Sequence, residues 1–467
     1  MLFMASGCPA GGNHAADGSL PTLADGGSPA VTHDGGIGAT PDAYTGPGSL
    51  DDSFGDHGLA LPSVVGCPTS MIVEADDRLL VALTDGRVAR FDANGSLDPT
   101  FGVGGVSVLP DPSPYVTRLA SNMVVLPDSR IVLALSAVPQ AGYELVALVR
   151  YLADGSPDLS LGGRGIAFLS LDPTGPQQPV ALATWSGPKG LSLVIGGMPT
   201  QAEGGTGPLV IRTDLEGVPD STFANGQGWT APQLGVGSWS TSAMAVEPGG
   251  GIVLAGYAFM PSKENDFGIV RINQDGTWDQ HFGQTGLATL AFAGNAENRA
   301  LSIAMLPDTT FLVAGFTMCL GSLCLPNFAM ARYYADGTLD TSFGQQGKVI
   351  VANGGAQALA VVQGGAIVMA GFDLVNEIVD LGGGWGRGSP QTFALARLSA
   401  AGVLDPTFGM PSPPNPPGVV QTSFGDALTR ASISAVATQS TGTLVAAGCV
   451  GAYAGGDSHV GIASYRP

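Results

Sequence analysis

The 467 residues carry 38 acidic and 18 basic side chains, a formal net charge of −20 and a pI near 4.3. So acidic a surface repels a phosphate backbone, which excludes nucleic acid as the expected partner, and no apolar run approaches the roughly 18 residues of a membrane-spanning helix. Gly (71) and Pro (34) are abundant and charged residues make up only 12%, the balance of many short strands joined by tight turns rather than of a disordered body.

The chain opens on Met1, Leu2, Phe3, Met4, Ala5, Ser6, Gly7, Cys8. These residues resemble the end of a bacterial lipoprotein signal, in which small residues precede a cysteine that becomes the lipidated N-terminus. Ala5 stands where leucine is usual, and the apolar stretch is short with no basic residues before it. Residues 1–8 are read as a truncated lipoprotein signal with Cys8 as the lipidated residue, against the plainer reading of a leader with one free thiol. Residues 9–47 are rich in Gly, Ala, Asp, Pro and Thr, lack apolar periodicity, and read as a disordered N-terminal tether.

From residue 48 onward one short stretch recurs. Its fullest form is Asp336, Gly337, Thr338, Leu339, Asp340, Thr341, Ser342, Phe343, Gly344, with close copies at 94–102, 275–283 and 402–409 and looser ones at 48–55, 155–162 and 217–223. The aspartates fall at 51, 98, 158, 220, 279, 340 and 405. Apart from a shorter first unit the spacing is about sixty residues, and a period of that length signals an array of supersecondary units. Within the fifth full unit, runs at 288–292, 300–305, 311–315 and 328–333 read as first to fourth strands, each four to seven residues long and bounded by Gly, Pro or Asp. The expected fold is all-β: a seven-bladed β-propeller of four-stranded antiparallel blades over residues 48–467, because one such sheet cannot cover both of its own faces. The last unit ends without the signature and the front supplies one, so the two ends of the body are expected to meet at the ring seam.

An arginine lies eight residues before six of the aspartates: Arg90 and Asp98, Arg150 and Asp158, Arg212 and Asp220, Arg271 and Asp279, Arg332 and Asp340, Arg397 and Asp405. A guanidinium for each carboxylate favours a structural ion pair. The loops lack the alternating acidic spacing of a calcium cage, so no metal and no cofactor is expected. The signature phenylalanines read as wedges between blades. At the seam Ser464 replaces the arginine, leaving Asp51 to Arg466 or to no partner.

Chain direction places the tight turns and the signature on one face of the ring and the variable connections on the other. The longest variable connection, 373–391, contains Trp385, Arg387, Glu377 and Asp380, and variable loops on a rigid ring are where binding usually resides. Cys319 with Cys324, and Cys67 with Cys449 across the seam, are the candidate disulfides, pointing to an oxidising compartment.

The signature, preceded by a strand ending in Ala-x-x-Arg, resembles the delta-60 repeat family of bacterial secreted and envelope proteins. That resemblance implies a propeller-like body outside the cytoplasm and brings no catalytic residues with it. The function expected is non-catalytic: an extracytoplasmic binding scaffold, secreted or lipid-anchored and monomeric, taking an unknown protein or glycan on the variable face. The alternative is a carbohydrate-active hydrolase or lyase with carboxylates at the propeller mouth, for which acidic pairs such as Glu264 with Asp266 are the raw material.

Overall fold

The computed structural model describes residues 44–139, 144–169, 171, 177–199, 207–259, 265–292, 296–319, 325–374, 377–380, 385–388, 391–409, 416–425, 429–452 and 457–467. Seven antiparallel sheets succeed one another as the blades of a β-propeller, and the helical segments among the described residues are three short 3-10 turns. The second strands, such as Leu79–Leu83 and Ile131–Val138, are buried along almost their whole length. A neighbouring blade covers each of their faces, so these strands read as continuous apolar runs rather than clean alternation.

In blade 5 the strands run from the axis outward as Ala296–Met305, Phe311–Cys319, Asn327–Tyr333 and Lys348–Val351. This differs from the strand order expected from the sequence. The run expected to begin this blade, Ala288–Leu290, instead pairs with Phe267–Ile269 as the outer strand of blade 4. The signature is the reason. Its aspartate N–H donates to the carbonyl of the arginine eight residues earlier (Asp340 to Arg332, 2.9 Å), folding the loop back on its own third strand. The strand that follows therefore joins the same sheet. The two sets of connections still fall on opposite faces. Blade 1 departs from the plan, its outer edge reduced to a bridge between Val106 and Ala89.

Every inner strand carries a β-bulge at one level, and in blades 3 to 7 the second strand answers it with glycine, whereas blades 1 and 2 have Leu83 and Leu135 there. Gly256, Gly315, Gly371 and Gly448 pair opposite the bulge. A Cβ there would lie 1.8, 1.8, 1.9 and 2.1 Å from the carbonyl oxygens of Ser240, Arg299, Gly355 and Ser432. No side chain fits against backbone at that distance, which accounts for the recurring Ala-Gly that ends these apolar runs.

Closure uses both ends of the body. Leu59–Ala60 pairs with His459–Tyr465 as the outer strand of blade 7, Leu50 bridges Tyr465, and Gly48 N–H donates to Arg466 C=O at 2.9 Å. The apolar residues divide into seven clusters, one at each blade boundary. The cluster at the seam joins Leu79, Val81 and Phe54 to Val445, Ala447 and Ile462, so the ring is as well filled there as elsewhere. Contact begins before the expected limit of the tether: Tyr44 donates its hydroxyl to Thr407 C=O, and Gly409 N–H donates to Pro47 C=O. The signal at 1–8 and the tether from 9 to 43 lie outside the described residues.

Candidate functional site

On the signature face the repeated polar residues form a clasp between each blade and the next. In all six arginine-bearing units the arginine Nε donates to the aspartate Oδ2, at 2.6 to 2.9 Å. The other carboxylate oxygen accepts the N–H and, where present, the hydroxyl of the residue two further on, as at Thr100 and Ser160. In five units the outer guanidinium nitrogen crosses the blade boundary. Arg90, Arg150, Arg212, Arg271 and Arg332 donate to the carbonyls of Ala153, Leu215, Gln274, Ala335 and Ala400. The guanidinium also lies over the signature phenylalanine, 4.5 Å from the ring centroid for Arg212 on Phe223 and Arg397 on Phe408. The ring presses on the turn glycine of the following blade. A Cβ at Gly155 would meet Phe101 at 2.8 Å, and one at Gly337 would meet Phe282 at 2.7 Å. Glycine is thus needed at that turn both for its positive φ and for this contact.

Burial by itself would raise the carboxyls of Asp158, Asp220 and Asp340. The hydrogen bonds from Ser160, Thr222 and Ser342, together with the adjacent arginines, outweigh it and hold each at about 2. At the seam Arg466 meets Asp52 at 3.1 Å rather than Asp51, and Asp51 accepts from Ser53. Ser464 is too short to cross the boundary, and its buried hydroxyl has no hydrogen-bond partner among the described residues. Gln439 takes over the crossing, donating to Ala93 C=O at 3.0 Å. The arginine and aspartate groups of the clasp are thus occupied with one another.

The opposite face is built differently. One step beyond the bulge, the inner-strand residue of blades 4, 5 and 6 meets the second strand of the blade before it. Ser240 Oγ lies 3.3 Å from Met198 Sδ, the Arg299 guanidinium lies 4.8 Å from the Tyr257 ring, and a Cβ on Gly355 would lie 3.3 Å from Phe316 Cβ. At the seam this level holds the Cys67–Cys449 disulfide, so a covalent bond stands where other boundaries have side-chain contact. Nearer the variable loops are two buried carboxylates, Asp266 and Asp373. Asn298 donates to Asp266 at 3.2 Å and accepts from Thr317 at 2.7 Å.

The longest connection contains a two-stranded hairpin, Glu377–Asp380 and Trp385–Gly388, inserted between the second and third strands of blade 6. Its register pairs Asp380 with Trp385 and Ile378 with Arg387. The side chains of Glu377, Asp380, Trp385 and Arg387 lie outside the described residues, as do Glu264, Cys8, Cys324 and the side chain of Cys319. Among the described residues no group of three or more His, Cys, Asp or Glu is placed to hold a metal ion. Sequence reasoning stopped at the Ala-Gly of the second strands in blades 4 to 6. The residue that follows, Tyr257, Phe316 or Phe372 in three successive blades, is the signal it passed over.

A family model described as "Domain of unknown function (DUF5122) beta-propeller" matches residues 75–101, 126–161, 249–282, 325–343 and 380–408. Each matched segment ends on the signature's Phe101, Leu161, Phe282, Phe343 or Phe408, and the chain is a β-propeller repeat protein. No curated protein matches it. Among solved structures it is similar to a protein of unknown function from Dyadobacter fermentans (12% identity, 77% of this chain and 97% of that one, TM-score 0.41). It is also similar to YCF48 from Cyanidioschyzon merolae (11%, 88% and 99%, 0.42) and to an alpha-L-arabinofuranosidase of Fusarium graminearum (11%, 77% and 96%, 0.44). These are likenesses of architecture.

Proposed function

We propose that this chain is a delta-60-type propeller that acts as a non-catalytic binding scaffold outside the cytoplasm, taking a protein or glycan on its variable face. One observation carries the reading. The clasp groups of the signature face are engaged with one another, whereas the opposite face is where the fold tolerates insertion and bears an added hairpin. A rigid ring with one face spent on joining its blades and one elaborated face is built to present loops. The seam disulfide supports an oxidising compartment, and lipidation at Cys8 would place the body at a membrane surface.

The hydrolase or lyase alternative draws on buried Asp266 and Asp373, which stand on the same face. A pull-down from an envelope extract and a glycan array, run on the intact chain and on one with residues 375–390 replaced by a short Gly-Ser turn, tests the proposal. Capture lost with the hairpin supports it. Capture unchanged by the replacement counts against the assigned face, and turnover on a sugar panel would move the choice to the enzyme.

A further inference from the structure

Three successive blades put an aromatic residue immediately after the bulge glycine: Tyr257, Phe316 and Phe372. The remaining blades have Thr84, Ser136, Met198 and Cys449 at that position, so the aromatic run is confined to blades 4 to 6. Arg299 lies within it, 4.8 Å from the Tyr257 centroid and 6.0 Å from that of Phe316. Its Nε donates to Glu297 at 2.6 Å. Gln357, the bulged residue of blade 6, continues the polar edge and accepts from Ser432 at 2.6 Å. Tyr257, Phe316, Phe372, Arg299, Glu297 and Gln357 are all half-buried, so each keeps part of its surface in solvent. The inserted hairpin follows directly on Ile367–Leu374, the strand that carries Phe372.

The chemistry narrows what this sector would hold. An anion is disfavoured, because the one guanidinium already holds a carboxylate and the chain Asp266–Asn298–Thr317 behind it adds negative charge rather than positive. A purely apolar ligand is also disfavoured, because it would strip water from Glu297, Arg299 and the Tyr257 hydroxyl without replacing those hydrogen bonds. A ring with an apolar C–H face and a rim of hydroxyls meets both demands, the face lying on the aromatic rings and the hydroxyls meeting groups that both donate and accept. We propose that the aromatic sector of blades 4 to 6, centred on Tyr257, Arg299 and Phe316, binds a neutral saccharide. This rests on the reading that the variable face is the binding face, and it adds the ligand class and the residues.

The test is calorimetric titration of the intact chain with linear tetrasaccharides of glucose, xylose, arabinose, mannose and N-acetylglucosamine. The same titrations are run on Tyr257→Leu, Phe316→Leu, Arg299→Met and the hairpin replacement. Leucine keeps apolar bulk and removes the π face. At least one sugar is expected to bind, with each aromatic substitution weakening it roughly three- to tenfold. Failure of all five sugars overturns the saccharide assignment, while the pull-down decides the face independently. Binding that survives all three substitutions but disappears with the hairpin overturns the sector and keeps the face. Should a leucine variant lose its cooperative melt, Arg299→Lys and hydrogen-exchange protection of Ile252–Phe259 on sugar addition read the same contact in a folded chain. Unchanged exchange there also overturns the proposal.

Discussion

Arg150→Met examines the clasp at its most buried copy. The side chain is fully buried, and its guanidinium makes five hydrogen bonds: to Asp158 (2.6 Å), Leu215 C=O (2.7 Å), Ser160 (2.9 Å) and both oxygens of Glu216 (2.9 and 3.2 Å). Methionine fills much of the volume but leaves the Asp158 carboxylate, 8% exposed, with the Ser160 hydrogen bonds and, as its remaining cation, Arg130 at 3.4 Å. Removing one partner of a buried pair costs about 3–5 kcal/mol. In Arg271→Met the arginine is 24% exposed and water replaces part of what is lost, so the expected cost is about 1–2 kcal/mol. For a body of this size the unfolding entropy is about 0.9 kcal/mol/K, which puts the Arg150 variant about 3–6 °C lower in Tm. Guanidinium unfolding with an unchanged m-value measures both. Adding Asp158→Leu to Arg150→Met is expected to restore part of the loss, since the stranded charge goes with it. A loss under about 1 kcal/mol for Arg150, or an equal or larger one for Arg271, would refute the claim that burial sets the strength of the clasp.

Three further outcomes follow from the same geometry. Asp158, Asp220 and Asp340, at about 2 in the folded chain against an ordinary 3.8, contribute stability that is fully present above the unfolded value and is lost as the pH falls between about 4 and 2. Unfolding free energy measured across that window should drop, less steeply after Asp158→Asn, and a flat profile contradicts the assigned hydrogen bonds. Gly315→Ala forces a Cβ to within 1.8 Å of the Arg299 carbonyl and should cost about 1–3 kcal/mol or more. Gly249→Ala, with nothing within 4 Å, should lie within about 0.5 kcal/mol of the parent, and similar melting curves for the two would sink the bulge argument. The Cys67–Cys449 bond joins residues 382 apart, so Cys449→Ser should lose up to about 6 kcal/mol in the chain-entropy account. An unfolding midpoint indifferent to the substitution or to reductant would show that strand exchange alone holds the seam.

Much of the architecture was legible because the repeat is written in residue types with narrow tolerances. Only glycine fits the turn under Phe101 or Phe282, and the arginine of each unit stands eight residues from its aspartate, so the period, the number of blades and the opposition of the two faces could be read directly. The strand order within a blade could not. Nothing local shows that Asp340 N–H folds back onto Arg332, the bond that assigns the next strand to the same sheet. Arg466 going to Asp52, and Gln439 replacing the missing arginine, depend on two chain ends that are far apart in sequence. The aromatic sector was missed for a similar reason: Tyr257, Phe316 and Phe372 look like ordinary strand residues until neighbouring blades stand them side by side.

The amino-acid sequence by itself determined that about sixty residues recur, that each unit makes short antiparallel strands, and that no unit could bury its own faces, so that a ring was the expected way for the array to cover them. Tertiary structure decided which strand belongs to which blade, how the seam is joined without its seventh arginine, and which polar groups are spent on contacts between blades. The physical reason is range. Turn chemistry and apolar patterning act over a few residues, whereas the clasp, the seam bond and the aromatic sector are contacts between blades, defined only when the ring is closed.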